Sequence, residues 1–127
     1  MKKEQNLLYT YEDGTTEKVC LDIKWYQNGN LCIRIMSEEN GYPESLMKLT
    51  VNGGKVLPDY FAYLDTNNVR NAVNFVIKNG LGELVIGREF PRIIQRGFCV
   101  YPLYKFSASV LHSLCPEQAE EYEHRND

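Results

Sequence analysis

Apolar and polar residues alternate along the first third of the chain with the period of two that a half-buried strand requires. Between residues 15 and 27, Val19, Leu21, Ile23 and Trp25 share one parity, and Cys20, Asp22, Lys24 and Tyr26 share the other. Leu31, Ile33 and Ile35 carry the alternation on through residues 31–38. Residues 6–11 (NLLYTY) supply a preceding strand, and Asp13-Gly14 is a strong hairpin signal. A two-residue turn there sets Tyr9 opposite Lys18 and Leu7 opposite Cys20. For the second hairpin, a two-residue turn at Asn28-Gly29 would set Cys32 opposite Trp25. The three-residue turn Asn28-Gly29-Asn30 sets Ile33 opposite Trp25 and Ile35 opposite Ile23. A slip of one residue flips every side chain, so the register that joins the apolar faces is expected. It places Arg34 opposite Lys24.

Asn40-Gly41-Tyr42-Pro43 predicts another turn. Residues 46–52 predict a strand with Met47, Leu49 and Val51 facing in, and residues 57–64 a further extended piece with Tyr60, Ala62 and Leu64 on one parity. The period then changes. Val69, Ala72, Val73, Val76 and Ile77 recur at helical spacing, with Arg70, Asn71, Asn74 and Lys78 opposite. Gly80 suits a left-handed C-cap, and Asp65, Thr66 and Asn67 are all good N-cap residues. The spacing predicts a helix over about 68–79, capped near Asn67 or Asn68. It predicts Val69, Val73, Val76 and Ile77 packed on a sheet face made by Ile23, Trp25, Ile33 and Ile35. Three cap-type residues exceed what one helix start needs, so Asp65 and Asn68 are candidates for contact with a partner. Residues 97–106 (GFCVYPLYKF) read as a strand, with Pro102 marking an edge or a bulge. Ser107 can cap a short helix carrying Val110, Leu111 and Leu114, which Pro116 would end.

The expected fold is therefore α+β: an antiparallel sheet of about five to seven strands, one main helix on its apolar face, and a short C-terminal helix. Residues 1–115 form the expected domain, followed by an acidic tail, 116–127, expected to fray. That tail holds Glu117, Glu120, Glu121, Glu123 and Asp127 against Arg125, so the body carries +1 of the overall −3. A nearly neutral body lacks the electrostatic footprint of a strong nucleic-acid binder. No apolar run suits a signal peptide or a membrane span, which implies a cytoplasmic protein without membrane contact. Cys20, Cys32, Cys99 and Cys115 form no C-x-x-C pair and are expected as buried thiols rather than disulfides.

Several segments in order, NGNLCIRI, LMKLTVN, LPDYFAYLDTNN, KNGLGEL and RGFCVYPLYKF, resemble domain of unknown function 4313. The resemblance covers roughly residues 17–112, and "DTNN" and "GFC-YPLY-F" are its specific parts. Residues 88–94 and the acidic tail depart from it. That family comprises small proteins of gut anaerobes, often carried on conjugative elements. It implies a bacterial accessory protein of a mobile element, and no activity, cofactor or catalytic residue.

The chemistry-bearing residues point the same way. His112-x-x-Cys115 offers two ligands where zinc needs three or four, so no metal is expected. Cys99 with His112 is a weak nucleophile pair, because Cys99 sits in an apolar strand. Asp22, Glu38, Glu39, Asp59 and Asp65 are scattered, so nothing selects acid–base catalysis. Gly53-Gly54-Lys55 and Gly80-Leu81-Gly82 are too short for phosphate loops. The polar face of the first sheet groups Tyr9, Lys18, Lys24, Tyr26 and Arg34, which could stack and neutralise a single-stranded nucleic acid. The leading expectation is a non-enzymatic accessory or regulatory protein that contacts another protein and uses no cofactor. A nucleic-acid contact module is the alternative, and an enzyme of unknown class the third.

Overall fold

The computed structural model describes residues 5–38, 44–87 and 90–127, so the expected turn at 40–43 lies outside them. The described chain runs β1 (Leu7–Thr10), β2 (Thr16–Trp25), β3 (Leu31–Ser37), β4 (Glu44–Lys48), β5 (Thr50–Val51), β6 (Phe61–Leu64), α1 (Ala72–Lys78), β7 (Gly82–Leu84), β8 (Ile93–Arg96), β9 (Cys99–Phe106), α2 (Ala108–Leu114) and α3 (Pro116–Glu123). The fold is α+β, as the pattern implies. Its strands form two antiparallel sheets rather than one: β1-β2-β3-β4, and β5-β6-β9-β7 with β8 also on β9.

The division falls within the single strand expected at 46–52. Leu49 donates its N–H to the Ile33 carbonyl at 2.8 Å and accepts from the Asp65 N–H at 2.8 Å. One buried residue thus serves both sheets, and the strand must bend there. The Thr50 hydroxyl accepts from the Ile33 N–H at 3.1 Å, so the bend leaves that donor satisfied.

Both early hairpins use one loop design. Tyr11 and Tyr26 donate N–H bonds to Thr15 and Asn30, and Gly14 and Gly29 donate back to the Tyr11 and Tyr26 carbonyls. Each glycine is left-handed, at φ 87° and 91°. A type I turn closed by a left-handed glycine is the usual three-residue hairpin loop. It corrects both expected registers. In the first hairpin Leu7 pairs with Val19 and Tyr9 with Glu17, a slip of one that turns Tyr9 into the core. In the second, Ile23 pairs with Ile33 and Leu21 with Ile35. That shift of two keeps the apolar parity but sets Arg34 opposite Asp22 instead of Lys24. The Arg34 guanidinium donates to the Asp22 carboxylate at 2.9 Å.

The main helix is shorter than its spacing suggests. Asp65 accepts the Asn68 N–H on its side chain at 2.9 Å and the Val69 N–H on its carbonyl at 3.1 Å, closing one isolated turn. Asn71 then sits left-handed at φ 63° before α1 begins. This break resets the helical phase. Val69, Ala72, Phe75 and Val76 are buried, while Val73 and Ile77 are 38% and 63% exposed. Trp25, expected beneath the helix, is 40% exposed. The helix end matches expectation: Leu81 and Gly80 donate to Val76 and Ile77, a Schellman cap with Gly80 at φ 63°.

The acidic segment, expected as a frayed tail, is helical over Pro116–Glu123 with Ala119 and Tyr122 buried. Pro116 begins α3 instead of only ending α2, a position where its missing N–H costs nothing. Leu111, Cys115, Ala119 and Tyr122 then form one buried stripe. Gln118 lies along the edge of β2. Its Oε1 accepts from the Ile23 N–H at 2.8 Å, and its Nε2 donates to Asp22 at 2.7 Å. Arg125 stacks on the Tyr122 ring at 4.0 Å and donates to the Gly29 carbonyl and the Asp59 carboxylate. The folded unit therefore includes the residues expected to form a tail. No disulfide joins the cysteines, and no described helix is long and apolar enough to cross a membrane.

The helix phase gives a direct contrast. Val76→Asp should unfold the domain, because it buries an unpaired charge. Ile77→Asp, one residue on, should change stability by less than about 0.5 kcal/mol. Urea denaturation of the two variants checks this, and equal losses would contradict the observed face.

Candidate functional site

Beyond Pro102 the second sheet changes character. The β6–β9 pairing ends at Leu103, just short of that proline, which has no N–H to donate. From there β9 continues with β8 on one side and the Asp65–Asn68 turn on the other. Thr66 donates its hydroxyl to the Val100 carbonyl at 3.2 Å. The "DTNN" and "GFC-YPLY-F" segments, far apart in sequence, thus meet at one end of the molecule.

The β8–β9 hairpin closes through Gly97-Phe98, with Gly97 at φ 62°. Its inner face, with Cys99, Ile94 and Tyr101, packs into a second apolar cluster with Leu57, Tyr63 and Leu103. Its outer face pairs Ile93 with Pro102 and Gln95 with Val100. Ile93 and Val100 are about half exposed, and Phe98 at the tip is fully exposed. Asn67 and Asn68, in the turn that Thr66 ties to Val100, are also exposed. Among the described residues, β8 pairs with β9 alone.

Asp65 is buried and Asn68 exposed. They are brought together: the Asn68 amide donates to the Asp65 carboxylate at 3.1 Å. Asp65 therefore shapes the turn, and Asn67 and Asn68 present it. Sequence reasoning missed Phe98, Ile93 and Val100. Their signal was an apolar residue directly after Gly97 in a two-residue turn, where a side chain has no face to pack on.

The five residues grouped for nucleic-acid contact do not make one platform. Tyr9 points into the core and donates its hydroxyl to the Arg70 carbonyl. Tyr26 donates to the Thr50 carbonyl at 2.9 Å, with the Lys48 ammonium over its ring. Burial pushes its phenol above the ordinary range. Arg34 is neutralised by Asp22. Lys24 is exposed, and Lys18 is half-buried opposite Leu8.

A second feature lies at the other end, on the C-terminal helices. Glu123 accepts the Tyr60 hydroxyl at 2.6 Å on one oxygen and faces His112 Nε2 at 2.9 Å on the other. Glu120 and Asp127 flank His124 at 3.2 and 2.6 Å. Tyr60 also lines an open groove of about 580 Å³ with Gly82, Glu83, Lys105 and Ser107. Burial, then the Glu123 hydrogen bond, raises the Tyr60 phenol, moving it away from neutral acid–base work. Cys99 packs in the second cluster while His112 faces Glu123, and Cys115 donates to the Leu21 carbonyl. Neither a Cys–His pair nor the His112–Cys115 ligand pair is assembled among these residues.

A family model described as a domain of unknown function (DUF4313) matches residues 20–126. The match takes in the acidic segment and residues 88–94, both of which departed from the resemblance read in the sequence. Neither a curated protein nor a solved structure matches the chain.

The ion pairs set an acid limit on stability. The Tyr60 hydrogen bond, then His112, holds the Glu123 carboxyl below its usual range. Burial opposes ionisation of Asp22, but Arg34 and Gln118 outweigh it and the net shift is downward. A depressed carboxyl stabilises the fold above its unfolded value, about pH 4, and loses that effect as pH falls through the folded value. The melting temperature should therefore drop below about pH 4. Asp22→Asn with Glu123→Gln should lower it at neutral pH and flatten its acid dependence. An unchanged slope would refute the role of these pairs.

Proposed function

Since the chain belongs to the DUF4313 family, whose domain carries no assigned role, we propose that it is a non-enzymatic accessory or regulatory protein that contacts another protein through the end formed by β8, β9 and the 65–68 turn. One observation carries this reading. Phe98 stands fully exposed at a hairpin tip beside exposed Ile93 and Val100, and the polar 65–68 turn meets Val100 through Thr66. An apolar centre with a polar rim is the usual anatomy of a contact patch. Burying one such aromatic contributes about 1.5–3 kcal/mol, enough for 10- to 100-fold in affinity. A cytoplasmic location and a link to mobile elements belong to the same proposal and rest on the sequence and the family resemblance.

Phe98 is fully exposed, so Phe98→Ser should leave the melting temperature in place. It should reduce capture of the partner from cells of the source organism by about 10-fold or more. Quantitative pull-down with wild type and Phe98→Ser, with and without nuclease, is the check. Equal capture by both proteins would overturn the assigned surface. Capture abolished by nuclease would favour nucleic-acid contact instead.

A further inference from the structure

We propose that His112, Glu120 and Glu123 form a binding site for a divalent transition-metal ion of the zinc class. One ligand atom from each residue lies within 4.8 Å of the other two. The imidazole comes from α2, and the carboxylates come from α3 at i, i+3 spacing, which puts them on one helix face. An ion seated among them would draw these atoms inward to bonds of about 2.0–2.2 Å, a small closure for side chains.

Three further features separate this cluster from an ordinary surface ion pair. First, the His112–Glu123 contact at 2.9 Å has a second carboxylate beside it: Glu120, which also meets His124 Nε2 at 3.2 Å, places a ligand atom within 4.8 Å of those of His112 and Glu123. Two carboxylates brought this close together favour a cation between them. Second, the Tyr60 hydroxyl holds the other oxygen of Glu123 at 2.6 Å, the outer hydrogen bond that typically orients a metal-bound carboxylate. Third, the ligand-bearing helices are fixed by Leu111, Ala119 and Tyr122, all fully buried. The His112 and Glu123 side chains stay about a third exposed, so an ion can enter from solvent.

One nitrogen and two carboxylate oxygens suit zinc and its neighbours better than calcium or magnesium, which have no preference for imidazole. Three protein ligands leave a position open. Metal and protons compete for the same ligand atoms, so affinity should fall as the pH is lowered.

The test is calorimetric titration of the tag-free full chain with zinc chloride, with magnesium chloride as the control. One zinc per chain is expected, with no magnesium heat at the same concentrations. His112→Ala and Glu123→Gln should each weaken zinc at least about 10-fold, and Tyr60→Phe should weaken it by less. Circular dichroism confirms that each variant is folded. Should either lose the fold, Glu120→Gln, at an exposed side chain, takes its place. Cobalt(II) in place of zinc should give d–d absorption without a thiolate charge-transfer band, which separates this site from the four cysteines. Absence of zinc binding, binding unchanged in the variants, or a thiolate band would overturn the assignment.

Discussion

The fold depends on how the edge of β2 is completed. β2 has ten residues, but its outer partner β1 has only four, so the ladder stops at Val19. The strand beyond it still carries polar backbone groups, each costing about 1–3 kcal/mol if buried without a partner. Side chains continue the ladder. Gln5 accepts from the Leu21 N–H at 2.7 Å and donates to the Leu21 carbonyl, and Gln118 accepts from the Ile23 N–H. Because Gln118 belongs to α3, this requirement holds the C-terminal helix against the first sheet.

Everything at that end follows from the placement of α3. Tyr122 lies under Tyr60, rings 5.2 Å apart, and accepts the Tyr60 N–H at 3.0 Å. That contact supports Tyr60 in its left-handed conformation at φ 71°, a costly state for a residue with a side chain. Arg125 ties the chain to the β2–β3 loop and to Asp59. The Glu123 carboxylate is thereby delivered to His112 and Tyr60. At the opposite end, no described residue gives such cover. There Pro102 stops the β6 ladder, the hairpin projects, and its apolar outer face stays open. The two ends divide the work: one closes the core, and the other presents the surface that the proposed function uses.

Strand parity, the C-cap at Gly80 and the α+β class were legible because each rests on local periodicity or on one residue's stereochemistry. The errors share a cause: a backbone feature that resets phase without changing the pattern. Asp13-Gly14 suggested a two-residue turn, but Glu12 joined the loop, and the slip of one carried Tyr9 inside. Asn71 in a left-handed conformation moved the helix face from Val73 and Ile77 to Phe75. Pro116 read as a stop, although a proline also starts helices, and the stripe Leu111, Cys115, Ala119 and Tyr122 crosses it at helical spacing. Net charge hid that stripe, because the acids occupy the solvent face of α3. The meeting of the 65–68 turn with Val100 could not be read at all, since it depends on where the β6–β9 pairing ends.

The acidic C-terminal segment is part of the core and holds the first sheet, the Tyr60 segment and the helices together. Equilibrium urea denaturation of Tyr122→Ala tests it most directly. A loss of about 3–5 kcal/mol is expected, the range for removing a fully buried aromatic. A midpoint and slope indistinguishable from wild type would mean instead that α3 contributes nothing to the folded state.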